Sequence, residues 1–348
     1  MRKKIRNQDI AEALNISTAA VSMARNHKNG VSEETRMRVF EYIKEQEEKM
    51  GISGFAKTSY IKEKKSLLLS IHKRHSSIII EKPFFSELIE AIQSEADIRG
   101  YNVLIKYCNR ETNMNEFVEN INEEQIQGVI ILATELLRED LKAYEGLKCK
   151  YVLLDAFFDG VDLDSVTIDN YNATLKAFEY AYKMGHRKIG YISCNVFIQN
   201  FEQRYDGYMK GRRRMGLDDT ENVVFSLGSN VLDAYIDMTK ILDELPDNFV
   251  MPTCFLVDLD YMAVGAMKAL AEHGYKVPED VSVIGFDDIN FGDVYGVPLT
   301  TIHLHQRTMG RTAVNLLVDQ IRNPNPCTVH IEISTDLIER KSVKKIDK

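Results

Sequence analysis

Charged residues directly follow several predicted strands, where ligand-binding groups are common. Asp155 comes after "YVLL", Asp260 lies just past "CFLVD", and Asp288 ends "VIGFDD", while Arg204 opens a predicted helix with R-x-x-G. Ligands of open α/β sheets bind beyond the carboxyl ends of the strands. Carboxylate and guanidinium groups make charge-assisted hydrogen bonds to paired hydroxyl groups, so this set favours a sugar-like ligand.

The sequence lacks the common motifs of enzymes. There is no G-x-S-x-G, G-x-x-x-x-G-K-[ST], G-x-G-x-x-G or H-E-x-x-H. The eight histidines are dispersed, and the five cysteines lack the spacing of metal ligands or of a disulfide framework. We therefore expect a binding protein without metal or cofactor, in which Phe84 and Phe85 form an apolar wall of the site.

Predicted strands and helices alternate twice along the chain. The first round has strands in "SLLLSI", "NVLIKY", "GVIIL" and "KYVLLD", and the second in "KIGYIS", "VVFSL", "TCFLV" and "VSVIGFDD". Such alternation predicts parallel sheets with helices on both faces. Two rounds predict two doubly wound subdomains with a cleft between them.

The charge of the chain is unevenly distributed. The whole carries a net charge of -8, but residues 1–65 hold 14 Lys and Arg against 9 Asp and Glu. A basic head on an acidic body is expected when one part approaches a polyanion. No signal peptide and no apolar run of membrane-spanning length are present, so we expect a cytoplasmic protein with no membrane partner.

The sequence of the basic head predicts three short helices. Ile10, Ala11 and Leu14 share one helical face, and Ser17 is a good N-cap for a second helix with Val21 on its buried side. Ser32, Met37, Val39, Phe40 and Ile43 then mark the cap and apolar stripe of a third helix. Two helices joined by a tight turn and closed by a third are typical of a helix-turn-helix unit, whose second helix enters the DNA major groove.

The segments "DIAEALNISTAAVSMARN" and "VSEETRMRVFEYI" resemble the N-terminal module of the LacI/GalR family of bacterial repressors. The resemblance implies the following DNA-contacting residues: Ser17, Thr18, Ala19, Ser22, Met23, Asn26 and Ser32. The family usually has Arg where Met23 stands, so this head should read base edges with small and apolar groups, such as Ala19 or Met23 against a thymine methyl.

The segment between head and body, residues 49–65, is polar and contains Gly51 and Gly54. In the family this segment is a hinge helix that inserts a side chain into the minor groove, and Ile61 aligns with that position. Gly54 and Phe55 replace the usual Pro-Asn, so a flexible tether is the alternative.

The resemblance continues through the body, for example in "VTIDNYNATLKAFEYAYKMGHRKIGYIS" and "VPEDVSVIGFDDI". It implies an α/β fold: a small all-α helix-turn-helix domain, residues 1–48, then a periplasmic-binding-protein-like sensor, residues 66–348, of two doubly wound parallel-sheet subdomains. The first subdomain would hold about 66–165 and 293–324, and the second about 166–292 and 325–340, with crossings near Ser165, Asp293 and Pro324.

By the same resemblance, Arg204, Asp260, Asp155 and the Phe84–Phe85 pair occupy effector positions. Leu259 replaces an Asn of the family, and His303–Leu304 replace an Arg-Gln pair. With two polar groups lost, the effector should carry fewer hydroxyl groups than a hexose.

These patterns predict a homodimeric repressor that binds double-stranded operator DNA under the control of a small, sugar-like effector in the cleft. A purine- or nucleoside-responsive repressor is an alternative within the same family. An exported solute-binding protein would need a signal peptide, and a sugar-modifying enzyme would need a positioned acid/base pair. Such a repressor would act in the bacterial cytoplasm, associated with the nucleoid while bound to DNA.

Overall fold

The computed structural model describes residues 5–25, 30–49, 65–74, 83–217, 222–289 and 296–346. The chain divides into two compact units, Met1–Lys64 and Lys65–Lys348. None of the described helices has the length and apolarity needed to cross a bilayer.

Residues 5–25 and 30–49 of the first unit form three helices: α1 (Asn7–Leu14), α2 (Thr18–Arg25) and α3 (Glu33–Lys49). The Ser17 hydroxyl accepts a hydrogen bond from the Ala20 amide (3.0 Å), and the Ser32 hydroxyl accepts one from the Thr35 amide (3.2 Å), so both predicted serine caps form. A small core holds the helices together and contains the following buried side chains: Ile10, Ala11, Val21, Ala24, Val39 and Ile43.

The larger sheet of the second unit has the parallel strand order β11-β5-β4-β3-β1-β2. Its strands are β1 (Lys65–His72), β2 (Tyr101–Cys108), β3 (Gly128–Leu132), β4 (Lys150–Leu154), β5 (Ser165–Ile168) and β11 (His330–Ile333). Its helices are α4 (Pro83–Ile98), α5 (Met114–Glu123), α10 (Gln306–Arg322) and the 3₁₀ helix Arg138–Gly146.

Side chains alternate between the two faces of this sheet, as in any strand. Leu67, Leu69 and Ile71 join the core that includes Leu88 of α4 and residues of α10. Leu68 belongs to a separate core with residues of α5 and the 3₁₀ helix. Helices therefore cover both faces, which is why β1 is buried along most of its length.

The smaller sheet has the parallel order β7-β6-β8-β9. Its strands are β6 (Ile189–Cys194), β7 (Val224–Leu227), β8 (Cys254–Val257) and β9 (Ser282–Ile284), and its helices are α6 (Asn170–Lys183), α7 (Gln199–Arg214), α8 (Val231–Glu244) and α9 (Asp260–Glu272). A Cβ atom at Gly265 of α9 would lie 2.4 Å from the Val231 carbonyl oxygen of α8, so these two helices cross at a distance that only glycine permits.

The chain passes between the two sheets at three places. These lie between Ile168 and Asn170, between β10 (Thr301–His303) and α10, and between β11 and β12 (Asp336–Ile338). The third crossing comes about ten residues beyond the position predicted near Pro324, because β11 pairs with β5 of the larger sheet. The predicted crossing at Asp293 lies outside the described residues.

These two parallel sheets with helices on both faces confirm the predicted α/β fold class.

Candidate functional site

A cavity lies where the two sheets of the second unit face each other. It is lined by Phe84, Phe85, Thr134, Asp155, Ile168, Ile198, Asn200, Phe201, Arg204, Leu259, Asp287 and Leu304. Five of these residues stand at or within three residues of the carboxyl ends of parallel strands, where α/β sheets bind ligands: Thr134, Asp155, Ile168, Leu259 and Asp287. The empty space between them is about 380 Å³, a volume that includes the part open to solvent.

Asp155 anchors the polar side of this cavity. It follows β4 with a left-handed backbone (φ 64°), which turns the chain sharply at the cleft. Its carboxylate accepts hydrogen bonds from the Thr134 hydroxyl (2.6 Å) and from the Asn200 side-chain amide (3.1 Å). Asn200 belongs to α7 of the smaller sheet, so the second bond joins the two subdomains directly. Burial raises the pKa of Asp155 to about 6, although both hydrogen bonds and Arg204 oppose the rise.

Arg204 is the one cation among the described residues that line the cavity. Its Nε donates to the Asn170 side-chain oxygen (2.9 Å), and its Nη1 donates to the Asp258 carbonyl oxygen. Its guanidinium lies 3.5 Å from the centroid of the Phe286 ring, a cation–π contact, and its Nη2 lies 4.0 Å from an oxygen of Asp287. Four partners thus fix one buried side chain at the carboxyl ends of β8 and β9.

The Phe84–Phe85 pair forms the predicted aromatic wall at the start of α4. The two rings meet edge to face, with centroids 4.9 Å apart, and both side chains are buried. Leu304, at the second crossing, and Leu259, before α9, also line the cavity. These two leucines replace the polar family residues noted in the sequence, so the substitutions make the lining more apolar.

The structure places two of the six predicted effector residues outside the cavity lining. Asp260 is buried at the start of α9, where its carboxyl group accepts hydrogen bonds from the Thr301 hydroxyl (2.6 Å) and the Ile289 amide (2.8 Å). Burial raises its pKa well above the usual range, with Asp287 adding to the rise. Asp288 pairs with His303 (2.9 Å) and with Arg340. Both side chains therefore hold the second crossing in place, and the neighbouring Asp287 lines the cavity instead.

Several lining residues were not identified from the sequence: Thr134, Ile168, Ile198, Asn200, Phe201 and Asp287. Asp287 had a visible signal, because it stands beside Asp288 in "VIGFDD". Thr134 and Asn200 carried none, since their role depends on the approach of two separate sheets.

The head places most of the predicted DNA-contacting residues around α2. Ser17, Thr18 and Ala19 are exposed, and Ser22 and Met23 are partly buried. The Met23 sulfur lies 3.0 Å from the point where a Cβ of Gly30 would stand, so this side chain lies against Gly30. Ser32 is exposed as the cap of α3. Asn26 and Ile61 lie outside the described residues.

Comparison with known proteins finds bacterial repressors along nearly the whole chain. Residues 178–343 match a periplasmic binding protein-like domain. The chain is 29% identical over 345 residues to the HTH-type transcriptional repressor PurR of Mannheimia succiniciproducens, covering 97% of this chain and 98% of that protein. It is also 29% identical over 350 residues to the HTH-type transcriptional repressor CytR of Escherichia coli, covering 97% and 96%.

Solved structures share the fold at lower identity. The Lac repressor dimer bound to operator and the anti-inducer ONPF matches with a TM-score of 0.71 at 23% identity, over 98% of this chain and 100% of that chain. The transcriptional regulator CelR in complex with cellobiose matches with a TM-score of 0.69 at 23% identity, over 97% and 100%. These matches agree with the predicted sensor fold.

Proposed function

Because the chain belongs to the LacI/GalR family of bacterial transcriptional repressors, we propose that it represses transcription by binding operator DNA with the head and a small-molecule effector with the cleft. The observation that carries this proposal is the cavity itself. Phe84, Phe85 and Asp155 come from the subdomain of the larger sheet, whereas Asn200 and Arg204 come from that of the smaller sheet. A ligand held there contacts both subdomains, so it can bias the angle between them.

The effector is a small ring compound with an apolar face and polar edges. Of the twelve described residues that line the cavity, seven are apolar and three of these are phenylalanines. Sugars stack on aromatic rings and present hydroxyl groups to carboxylates, and cellobiose and ribose stand in two of the related solved structures. A nucleobase or nucleoside is the second candidate, because the paired Phe84 and Phe85 rings offer a surface for a flat heterocycle.

The active species is a homodimer, as in the Lac repressor dimer. Two exposed apolar surfaces of the body support this assignment. β2 is an edge strand of the larger sheet and exposes Leu104 on one face and Tyr107 on the other. α8 exposes Leu232 and Ile236 one turn apart. Pairing two copies through these surfaces would bring two heads to the two halves of one operator.

Effector control follows from the difference in affinity between two arrangements of the subdomains. A ligand that favours one arrangement changes the spacing of the two heads, and operator affinity changes by the coupling free energy, typically about 1–3 kcal/mol. We place this activity in the bacterial cytoplasm, where the operator DNA is.

The test begins with selection of operators from a library of randomised near-palindromic duplexes by the full chain. Binding of the selected duplex is then measured by fluorescence anisotropy at several salt concentrations, with and without cellobiose, ribose, hypoxanthine, guanine, cytidine and adenosine. The proposal expects dimeric, strongly salt-dependent binding that one of these compounds changes by roughly five- to 150-fold. Salt-insensitive binding, or binding by a monomer with undiminished affinity, contradicts it.

A further inference from the structure

The charges in and behind the cavity are unbalanced, and the imbalance restricts the effector. Asp155 and Asp287 line the cavity together with the single cation Arg204. A third carboxylate, Asp258, lies buried directly behind Arg204 and accepts hydrogen bonds from the Tyr191 hydroxyl (2.5 Å) and the Cys194 amide (2.7 Å). Three acidic side chains therefore surround one guanidinium in a region shielded from solvent.

The acidic groups lie close enough to one another to interact electrostatically. The charge of Asp287 raises the pKa of both Asp155 and Asp258. Burial is the larger cause, and each of these two pKa values reaches about 6. The three carboxyl groups of Asp155, Asp258 and Asp287 thus outnumber the one guanidinium group of Arg204.

Arg204 already has partners on most of its surface. Asn170 and the Asp258 carbonyl oxygen accept two of its N–H groups, and the Phe286 ring covers one face of the guanidinium. An incoming phosphate would have to displace these contacts and lie next to Asp155. In a buried site such like-charge proximity is weakly screened and costs more than at a surface.

We propose that the cavity selects an uncharged or cationic effector and rejects phosphorylated and carboxylated compounds, with Asp155 and Asp287 as the residues that set this selectivity. This inference rests on the proposed function, since it assigns a chemical class to the ligand of the same cavity. Asp155 accepts hydrogen bonds from Thr134 and Asn200, one at each carboxylate oxygen, and each oxygen has a lone pair left to accept another. A hydroxyl or amino group of the effector fits that acceptor, whereas a phosphate oxygen does not.

The first experiment identifies retained compounds without assuming the ligand. The full chain is incubated with a deproteinised bacterial metabolite extract, separated by ultrafiltration, and the retained compounds are identified by mass spectrometry. Retained compounds without phosphate or carboxylate groups support the inference. If the wild type retains a phosphorylated compound and the Arg204→Ala variant does not, the proposed selectivity against charged effectors is wrong. The cavity is then still the effector site. Retention of nothing, by a chain that binds its operator, overturns both proposals.

The second experiment measures selectivity by calorimetry on the full chain. The retained compound is compared with its phosphate ester, as in the pairs ribose and ribose 5-phosphate or adenosine and adenosine 5′-monophosphate. Wild type should bind the uncharged member at least tenfold more tightly, and Asp155→Asn and Asp287→Asn should each lower that ratio at least threefold. Asp162→Asn, an equal charge change at an exposed position, should leave the ratio unchanged.

The asparagine variants suit the local backbone. Asp155 and Asp287 have positive φ values of 64° and 112°, and among residues with a Cβ atom asparagine tolerates such values best. Thermal unfolding of each variant checks that the fold is retained. If folded Asp155→Asn and Asp287→Asn proteins keep the wild-type ratio, these carboxylates do not set selectivity and the inference is wrong.

Discussion

The head and the cleft present their ligands with opposite kinds of surface. At the start of α2 the residues Ser17, Thr18 and Ala19 are small, uncharged and exposed. In the cleft Asp155 and Arg204 are only 3% and 5% exposed, and each is bonded to several neighbours. A change in the head should therefore act on one base pair at a time, whereas a change in the cleft should disturb a whole network of bonds.

Deletion of the head should have the largest effect, which is the loss of operator binding. Deletion of residues 1–64 should abolish operator binding while the remaining unit, Lys65–Lys348, stays folded, dimeric and able to bind effector within twofold of the full chain. The body has its own sheets and cores, so it should not need the head. Anisotropy, calorimetry and sedimentation measure the three properties. Unfolding of the truncated chain, or residual retardation of operator DNA, would place the domain boundary elsewhere.

Removal of the buried guanidinium should be the largest single-residue effect on effector binding. Arg204→Ala should weaken effector binding by about 1.5–3 kcal/mol, the range for hydrogen bonds to charged groups, or about ten- to a hundredfold and more. Operator affinity without effector should stay within a few-fold of wild type. Arg213→Ala, on the exposed side of the same helix, is the control. Equal effector binding by both variants would show that the cavity is not the effector site.

Lowering the pH should weaken effector binding in the cleft more than operator binding by the head. The pKa of Asp155 is raised from 3.8 to about 6, so below pH 6 its carboxylate gains a proton and loses an acceptor for the effector. Effector affinity should fall about tenfold between pH 7.5 and pH 5. Because the folded state takes up this proton before the unfolded state does, Asp155 favours folding increasingly as pH falls from 6 to 3.8. Calorimetry across this range should give a flatter profile for Asp155→Asn, and an unchanged profile would assign the titration to Asp258 or another group.

A conservative change on the exposed face of α2 should have a small and local effect. Ala19→Ser exchanges a methyl surface for a hydroxyl group, and loss of one methyl contact is worth about 0.8 kcal/mol, or about fourfold. The preference at one base pair should change by that factor, with affinity for unrelated DNA unaltered. Ala13→Ser, exposed on α1, is the matched control. A uniform loss across all sequences would show that position 19 supports the fold or contacts phosphate rather than a base.

The smallest effect on effector binding is expected at Asp260. Each carboxyl oxygen of Asp260 accepts one hydrogen bond, from Thr301 or from Ile289. Asp260→Asn replaces one of these oxygens by an NH₂ group, which cannot accept. The variant should therefore lower the free energy of unfolding by about 1 kcal/mol. Effector affinity should stay within twofold, because the residue does not line the cavity. Denaturant titration and calorimetry separate the two quantities. Tenfold weaker effector binding at an unchanged free energy of unfolding would show that Asp260 belongs to the effector site.

The local patterns of the sequence were sufficient to predict the strands and helices, but not which sheet the last strands join. Apolar runs such as "GVIIL" correctly indicated buried parallel strands. The strand "HIEI" has exposed residues and is defined by its pairing with β5, which lies 165 residues earlier in the sequence (His330 opposite Ser165). The third crossing was therefore predicted too early in the chain. A local sequence pattern shows which side chains share a face, whereas the strand that pairs with an edge strand is decided by the tertiary fold.

The site was partly predictable for the same reason. Asp155 and Arg204 follow or open regular elements at the cleft edge, and both line the cavity. Asp288 also follows a strand, but its left-handed backbone (φ 55°) turns the side chain toward His303 and Arg340. Which of two adjacent aspartates faces the ligand depends on one backbone turn, and no sequence spacing encodes that choice.

If Met23 reads the operator as we propose, its position beside Gly30 links operator preference to a second position in the head. Gly30 has a φ of 119°, and a Cβ there would stand 3.0 Å from the Met23 sulfur. Any residue with a Cβ atom at 30 would strain the backbone and force the Met23 side chain to shift. Positions 23 and 30 should therefore covary among descendants of this repressor. A laboratory library that retargets it to new operators would have to randomise both positions together.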